Sequence, residues 1–447
     1  IRDSSYKGRY TVNGTARYEG TNRMGKSRSA RWLPTWNVSG AWNAHEEKFF
    51  SNLTSVLSHF TLKASYSLTA DRGPADVTNS QAIITSYSPY RPFTSIQESG
   101  LYIKELENSE LTYEKKHELN IGADMGFLNN RINLAVDWYK RNNYDLIGIV
   151  NTQGAGGQIL KYANIASMKS HGIEFTLSTK NIKTKDFNWN TDFIFSNAKN
   201  EVTDLKQNAN VMELISGNGF AKQGYPVRGL FSIPFVGLDK DGIPVIINEK
   251  GEATSTDINF QERQNTGFLK YEGPTDPTIT GSLGNMFSYK GFRLNLFITY
   301  SFGNVIRLNP VFKAYYSDLT AMTREFKNRW TLPGDEAKTN VPAILSKRMY
   351  DSNEDLKYAY NAYNYSTERI AKGDFIRLKE ISLAYDFPKA WINPLKLTDL
   401  SLKVQATNLF LIYADDKLNG QDPEFFNAGG VASPVPRQFT ITLRLGL

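Results

Sequence analysis

The sequence predicts an all-β protein, an antiparallel transmembrane β-barrel with long connections at one end. Three observations support this fold class: apolar and polar residues alternate over twelve segments, most segments have 12–15 residues, and connections alternate between short and long. Ordinary strands have about five or six residues. About ten alternating residues cross a membrane as a tilted strand, so the segments are long enough to span a bilayer and extend beyond it.

Composition excludes several classes. The 447 residues carry 52 Lys and Arg against 45 Asp and Glu, a net charge of +7, and no Cys. The 24 Tyr, 26 Phe and 7 Trp argue against disorder. Without Cys, neither a disulfide scaffold nor a Cys zinc site can form. Both signs of charge are spread evenly, so we expect no nucleic-acid partner. The chain begins Ile1-Arg2-Asp3 without an initiator Met or signal peptide, and we interpret it as a mature or internal fragment.

Each segment predicts a strand with one apolar and one polar face, because successive side chains of a strand point to opposite sides. At 132, 134, 136 and 138 the residues are Ile, Leu, Val and Trp, whereas the positions between them hold Asn, Ala and Asp. We expect each strand to pair with its neighbour in the chain. The predicted strands are 8–19, 34–44, 56–70, 113–126, 129–143, 168–180, 186–200, 274–289, 291–303, 374–387, 398–412 and 435–447.

The connections between these strands follow a pattern of their own. Every odd-numbered connection is longer than every even-numbered one, and the tightest turns fall at Leu128-Asn129 and Lys290-Gly291. Barrels of the outer membrane have short turns on one side and long loops on the other. We therefore expect 201–273 and 304–373 to be large, ordered extracellular loops. Short helical turns are predicted at 46–50 and 320–330.

No catalytic, metal-binding or cofactor-binding motif emerges. The four histidines, His45, His59, His117 and His171, lack metal-ligand spacing. The run 239–242, Asp-Lys-Asp-Gly, resembles the start of a calcium loop, but Lys250 occupies the twelfth position, where that loop needs Glu. Asp-Gly between apolar residues is better explained as a hairpin turn. We expect no enzyme activity, no metal and no cofactor.

Charged residues on the polar faces fit two interpretations, a water-facing surface or the hydrated interior of a barrel. They are Lys63, Asp124, Arg131, Asp137, Glu174, Asp192, Arg293, Lys403 and Arg444. Aromatic residues in the long connections either contact a substrate or a capping protein, or pack the loops together. The candidates for such contacts are Tyr87, Tyr90, Tyr315, Tyr316 and Trp330.

Several stretches in order along the chain resemble the SusC/RagA family of Bacteroidetes. The first is an Arg, an acidic-Gly turn, a Trp and a Pro that lead into a strand ending in Gly-x-Trp. Later blocks include Gly-Ile-Glu, Phe-Ile-Arg-Leu-Lys and Asp-Pro-Glu. The signature residues are Arg17, Gly20, Trp32, Pro34, Gly40, Trp42, Gly172, Glu174, Arg377, Leu378, Asp422, Pro423 and Glu424.

The resemblance implies a TonB-dependent outer-membrane transporter with a 22-stranded barrel, of which residues 1–447 would be about the last twelve strands. It implies a plug and a TonB-binding segment upstream, a SusD-like surface lipoprotein as cap, and import of a glycan or peptide. Outer-membrane lipid would surround the barrel. A structural or receptor subunit of a surface assembly is the alternative function, and a soluble glycan-binding β-sandwich is a third hypothesis.

The last predicted strand is a candidate assembly signal, because a regular apolar face at the end of the chain suits recognition by insertion machinery. Its apolar positions are Phe439, Ile441, Leu443, Leu445 and Leu447.

Overall fold

A computed structural model describes residues 2–73, 81–90, 92, 98–154, 159–311, 324–344, 346–426 and 436–446. Within these residues the chain is mainly β-structure. In chain order the strands are β1 Arg2–Tyr6, β2 Tyr10–Gly20, β3 Trp32–Asn43, β4 Leu57–Asp71, β5 Ile83–Tyr87, β6 Gly100–Glu105, β7 Glu114–Phe127, β8 Ile132–Asn151, β9 Leu160–Lys183, β10 Phe187–Leu205, β11 Gly229–Ser232, β12 Phe235–Leu238, β13 Pro244–Ile247, β14 Ala253–Thr254, β15 Lys270–Pro274, β16 Ile279–Tyr289, β17 Phe292–Phe302, β18 Val305–Arg307, β19 Ile370–Lys372, β20 Phe375–Asp386, β21 Asp399–Ala414 and β22 Gln438–Gly446.

The helices are short. The α-helices are α1 Arg28–Arg31, α2 Val211–Leu214, α3 Lys347–Ser352, α4 Leu356–Asn364 and α5 Lys389–Ile392. Across the described ranges, no helix has both the length and the apolar character needed to cross a membrane.

The main sheet has thirteen strands, and its strand order follows the chain: β1–β4, β7–β10, β16, β17 and β20–β22. The chain divides into two compact units. Unit 1 comprises residues 1–174 and 198–207, and unit 2 comprises 175–197 and 208–447. Within each unit the paired strands are antiparallel and are neighbours in the sheet order. The predicted all-β antiparallel meander is therefore confirmed.

The sheet of unit 1 has the two faces that the alternation predicts. Val38 lies opposite Tyr66, and Tyr66 lies opposite Leu119, which places the three side chains on one face. One residue further along, Ser65 lies opposite Asn120 on the other face. Since side chains paired across strands share a face, an apolar face and a polar face run across these strands.

Unit 2 shows the same separation. One cross-strand row is apolar throughout and consists of Phe287, Leu294, Leu383, Val404 and Ile441. In the next row along, Asn295, Ser382, Gln405 and Thr440 are polar, and Met286 at the β16 end is the exception. A register slip of one residue would exchange these faces, so the sequence pattern and the strand register specify each other.

The strands depart most from the prediction at β1, β8 and β9. β1 was missed, because Arg2–Tyr6 is short and mostly polar. β8 and β9 extend well beyond the predicted 129–143 and 168–180. The extensions, such as Tyr-Asp-Leu-Ile-Gly-Ile-Val-Asn at 144–151, lack a regular alternation, but backbone pairing does not depend on the side-chain pattern and continues.

The predicted strict alternation in connection length is wrong. The connections 44–56 and 387–398 are longer than 152–159, because β8 and β9 extend into the predicted long gap and short helices fill the other two. The tight turn at Lys290-Gly291 is confirmed, with positive φ angles of 43° and 92°. The helical turn at 46–50 is also confirmed, by 3-10 helices Ala44–Glu46 and Lys48–Asn52. Of the predicted 320–330 helix, the described part forms a 3-10 helix at Arg324–Asn328.

The two longest connections, 206–278 and 303–374, share a hydrophobic core within unit 2. The amide of Ile233 donates to the carbonyl of Tyr365, and the amide of Thr367 donates to the carbonyl of Ile233, both at 3.0 Å. The core residues come from both connections: Ala209, Val211, Leu214, Ile215, Phe231, Ile233, Ile246, Leu269 and Ala362. The two connections therefore pack as one body, which we call the loop body.

The face assignment predicts different effects for two adjacent substitutions on β21. Val404→Arg puts a charge on the apolar face, where the resemblance places lipid, and should cost roughly 2–4 kcal/mol near the bilayer midplane. Gln405→Arg puts the same charge on the polar face and should be tolerated. Heat resistance of the folded barrel during gel electrophoresis measures both. Equal losses in the two variants would contradict the assignment.

Candidate functional site

The polar face of unit 1 carries charges paired across strands. The ammonium of Lys63 lies 2.9 Å from the carboxylate of Asp124. Gly122 is required beside this pair, because a Cβ there would collide with the carboxylate of Asp137. The same face holds a shallow cavity of about 300 Å³, bounded by Ser39, Ser65 and other small side chains. The polar face of unit 1 is therefore hydrophilic and contains a shallow depression.

The polar face of unit 2 has similar pairs. Ser178 donates to Asp192 at 2.6 Å, and Arg293 lies 2.9 Å from Asp386. Solvent-accessible ion pairs of this kind contribute about 0–1 kcal/mol each. Their chief effect is therefore to make the face wettable.

A buried arginine joins three of the signature residues. Arg377, on the polar face of β20, is 5% exposed. Its Nη2 donates to both carboxylate oxygens of Asp422, at 2.5 and 2.6 Å, and lies 3.3 Å from Glu424. Asp422 also accepts the backbone N–H of Glu424 at 3.1 Å and so caps the 3-10 helix Pro423–Phe425. We call this group the arginine clamp.

The arginine clamp holds a segment that we call the strap, residues 415–426. At the start of the strap, Asp415 accepts the backbone N–H of Lys372 at 2.8 Å. Leu418 is buried with Ile306, Leu308 and Ala371 beneath it. The strap is thus attached at both ends, by hydrogen bonds to β19 and by charge to β20.

A cavity of about 560 Å³ lies where the strap, the loop body and the polar face meet in unit 2. Its wall combines hydroxyl and amide groups, charges of both signs and a few apolar side chains. The polar groups include Asn218, Thr280, Ser301, Asn304, Lys379 and Glu424. Such a wall offers hydrogen bonds to a polar molecule.

A second buried arginine stabilises the loop body. Arg307 donates to the carbonyls of Ser366 and Phe231 at 3.0 and 2.6 Å, and to the hydroxyl of Ser232 at 3.1 Å. Burial lowers the pKa of Arg307 to about 9, which leaves the guanidinium charged at neutral pH. Because its acceptors come from both long connections, Arg307 ties them together.

The candidate aromatic residues lie in different surroundings. Trp330 lies over Gly242, where a Cβ would collide with the indole, and its Nε1 donates to Glu336 at 2.9 Å. That hydrogen bond lowers the pKa of the Glu336 carboxyl. The turn at 239–242 is the hairpin between β12 and β13, with Asp239 accepting the amides of Asp241 and Ile243 at 2.9 Å. Trp330 therefore packs one long connection onto the other.

In unit 1, the hairpin β5–β6 presents its aromatic side chains openly. Tyr87 and Tyr102 form an edge-to-face pair with ring centroids 5.6 Å apart, and Tyr90 is 89% exposed. Tyr315 and Tyr316 lie outside the described residues. The rings of Tyr87, Tyr90 and Tyr102 are thus exposed to solvent.

The N-terminal signature residues shape the hairpin of β2 and β3. Tyr18 stacks on Trp32 with centroids 5.2 Å apart, and Gly20 leaves room for the indole. Arg17 pairs with Glu19 at the surface, Pro34 lies opposite Tyr18, and Gly40 and Trp42 lie opposite Val12 and Tyr10. These contacts fix the strand register. In β9, Gly172 is buried and Glu174 is exposed. In β20, Leu378 lies opposite Ile298 of β17.

The apolar side chains of β22 lie on the same face of the sheet as the apolar side chains of β21. Phe439, Ile441, Leu443 and Leu445 lie opposite Ala406, Val404, Leu402 and Leu400 and are more than half exposed. Leu447 lies outside the described residues.

Sequence reasoning missed Arg307 and Arg369, two buried cations of the loop body. Neither lies in an alternating segment or a motif, so no local signal marked them. Among the described residues, no group of three or more His, Asp or Glu side chains could hold a metal ion.

Comparison with known proteins identifies the class. A family model described as "TonB dependent receptor-like, beta-barrel" matches residues 3–409, and the chain therefore belongs to that family of outer-membrane β-barrels. The family consists of transporters and not of enzymes.

Individual relatives resemble the chain over almost its whole length. It is 25% identical to TonB-dependent receptor P3 of Formosa agariphila, over 94% of this chain and 41% of the relative. It is 26% identical to TonB-dependent receptor SusC of Bacteroides thetaiotaomicron, over 98% of this chain and 42% of SusC. The solved RagAB peptide transporter matches with a TM-score of 0.77 and 23% identity, over 99% of this chain and 46% of that chain. The chain thus spans less than half the length of these relatives, and its resemblance to the SusC/RagA family is confirmed.

The arginine clamp predicts a local loss of order in one variant. Arg377→Met removes the cation and leaves two carboxylates close together in a buried site, and breaking a buried pair costs about 3–5 kcal/mol. The strap should then become accessible to trypsin at Lys417, which limited proteolysis of purified outer membranes detects. Lys403→Met, which removes an exposed partner 3.9 Å from Glu380, is the control and should leave cleavage unchanged. Unchanged cleavage in Arg377→Met would show that the clamp does not hold the strap.

Proposed function

We propose that the protein takes part in TonB-dependent import of a large nutrient, a glycan or a peptide, through the outer membrane. The observation that carries this proposal is family membership over residues 3–409. The cavity of about 560 Å³ beside the polar face adds a hydrogen-bonding site of the kind that a polar oligomer would use. Coupling to TonB would act through a segment outside this chain.

The long connections 206–278 and 303–374 are, in this proposal, extracellular, and a SusD-like lipoprotein covers them. Their shared core makes a firm surface, and the surface of unit 2 exposes Val236 and Leu332 at 57% and 68%. In unit 1, the hairpin β5–β6 exposes Ile84 and Leu101 as well. Exposed apolar surface of this kind marks interaction sites.

A tagged barrel tests the capping partner. We expect mild detergent extraction from the native bacterium to recover a surface lipoprotein in equal amount, because a stable interface buries about 1,600 Å² or more. Replacing Ile84 and Leu101 by Ser should reduce that recovery, whereas Ser replacements of Leu53 and Val56, which are exposed in the connection 44–56, should not. A barrel that purifies alone, with normal assembly, would refute the capped transporter.

Growth of a deletion strain tests import itself. A strain lacking the protein should fail on one class of large nutrient, a glycan or a peptide mixture, and grow normally on the corresponding monomers. Growth on every substrate at the parental rate would favour a structural or receptor role in a surface assembly.

A further inference from the structure

A smaller cavity of about 200 Å³ in unit 2 has an excess of positive charge. Its wall contains Arg324, Arg369 and Lys417 against a single carboxylate, that of Glu325. The floor is apolar and comes from Leu308 and Leu418, which belong to the hydrophobic cluster under the strap. We call it the arginine cavity.

Arg369 is the fixed element of this cavity. The residue is 2% exposed and directly follows Glu368, whose amide donates to the Ser366 hydroxyl at 3.3 Å. Its Nη2 donates to the carbonyl of Asn309 at 2.7 Å, and Nη1 donates to Glu325. Within the described ranges, Nε has no acceptor. The guanidinium also lies 6.0 Å from the centroid of the Tyr363 ring and is therefore held in place.

Glu325 occupies the position that an anion would take. Besides Arg369, it accepts a hydrogen bond from Asn419 of the strap at 3.3 Å. Its side chain is partly exposed, whereas that of Arg369 is buried. One carboxylate cannot neutralise three cations, and a planar guanidinium binds carboxylate and related oxyanions especially well.

We propose that the arginine cavity binds an anionic oxygen group, a carboxylate or sulfate ester, with Glu325 as the resident counter-ion that the ligand displaces. A volume of about 200 Å³ is below the roughly 300–1,000 Å³ typical of sites that enclose a whole small molecule. The cavity therefore takes one end group of a longer molecule. That this molecule is the imported nutrient rests on the proposed function, but the binding itself does not.

Two sources share this chemistry, an acidic sugar and the terminal carboxylate of a peptide. Titration calorimetry of the receptor, purified in detergent from its native host, distinguishes them. The probes are a glucuronate trimer against a glucose trimer, and an alanine tripeptide with a free carboxylate against its amide. We expect at least one anionic probe to bind about tenfold or more tighter than its neutral counterpart, a difference of about 1.4 kcal/mol, and to weaken as salt is added.

Substitutions at exposed positions assign the binding to this cavity. Arg324→Gln and Lys417→Gln should each weaken anion binding about three- to fivefold, in line with exposed charge pairs. Lys327→Gln, on the same 3-10 helix as Arg324 but outside the cavity wall, is the matched control and should have no effect. Glu325→Gln removes the competing carboxylate and should tighten binding. Heat resistance of each variant during gel electrophoresis verifies that the variant folds. Arg369 itself is left unchanged, because it is buried and its replacement would disturb folding.

Equal affinity for charged and neutral probes would overturn the proposal, as would equal weakening by Lys327→Gln and Arg324→Gln. A fully folded Glu325→Gln receptor that binds anions no more tightly would exclude Glu325 as a displaceable counter-ion. If the deletion strain grows normally while the purified receptor still binds anions through Arg324, the import proposal fails and the anion-binding proposal stands. If import holds and anions do not bind, only this inference fails.

Discussion

Backbone hydrogen bonding is the constraint on which the whole structure depends. Lipid offers no partner for an N–H or C=O group, so a chain that crosses a membrane as strands must pair every strand with another. The meander achieves this with neighbours in the sequence, as the pairing of β16 with β17 through a two-residue turn illustrates. Once pairing is fixed, the side chains are free to make one face apolar and the other polar.

The polar face and the long connections depend on a different interaction, the burial of guanidinium groups. Arg307 ties the two long connections together by donating to carbonyls of both, and Arg377 holds the strap through Asp422. A buried cation costs much free energy when its partner is lost, so each arginine favours one arrangement of loops. Hydrophobic contacts alone would favour one arrangement of the loops less strongly, because they are not directional.

The two cavities follow from this arrangement. Phe426, at the end of the strap, lines both the cavity of about 560 Å³ and the arginine cavity. The strap therefore forms a shared wall, and its position sets the shape of both. Binding groups on loops whose places are already defined lose less conformational freedom when a ligand binds.

The sequence by itself determined the fold class, the faces of the strands and most strand positions, because a period of two is a local property that every apolar residue reports. It also marked Arg377, Asp422 and Glu424 through resemblance, without saying that they touch. Only the tertiary structure decided the lengths of β8 and β9, the packing of Trp330 on Gly242, and the places of Arg307 and Arg369. The two arginines meet partners 44 and 76 positions away, and Trp330 meets Gly242 across 330 − 242 = 88 positions. No local pattern encodes which distant partner a buried charge will meet.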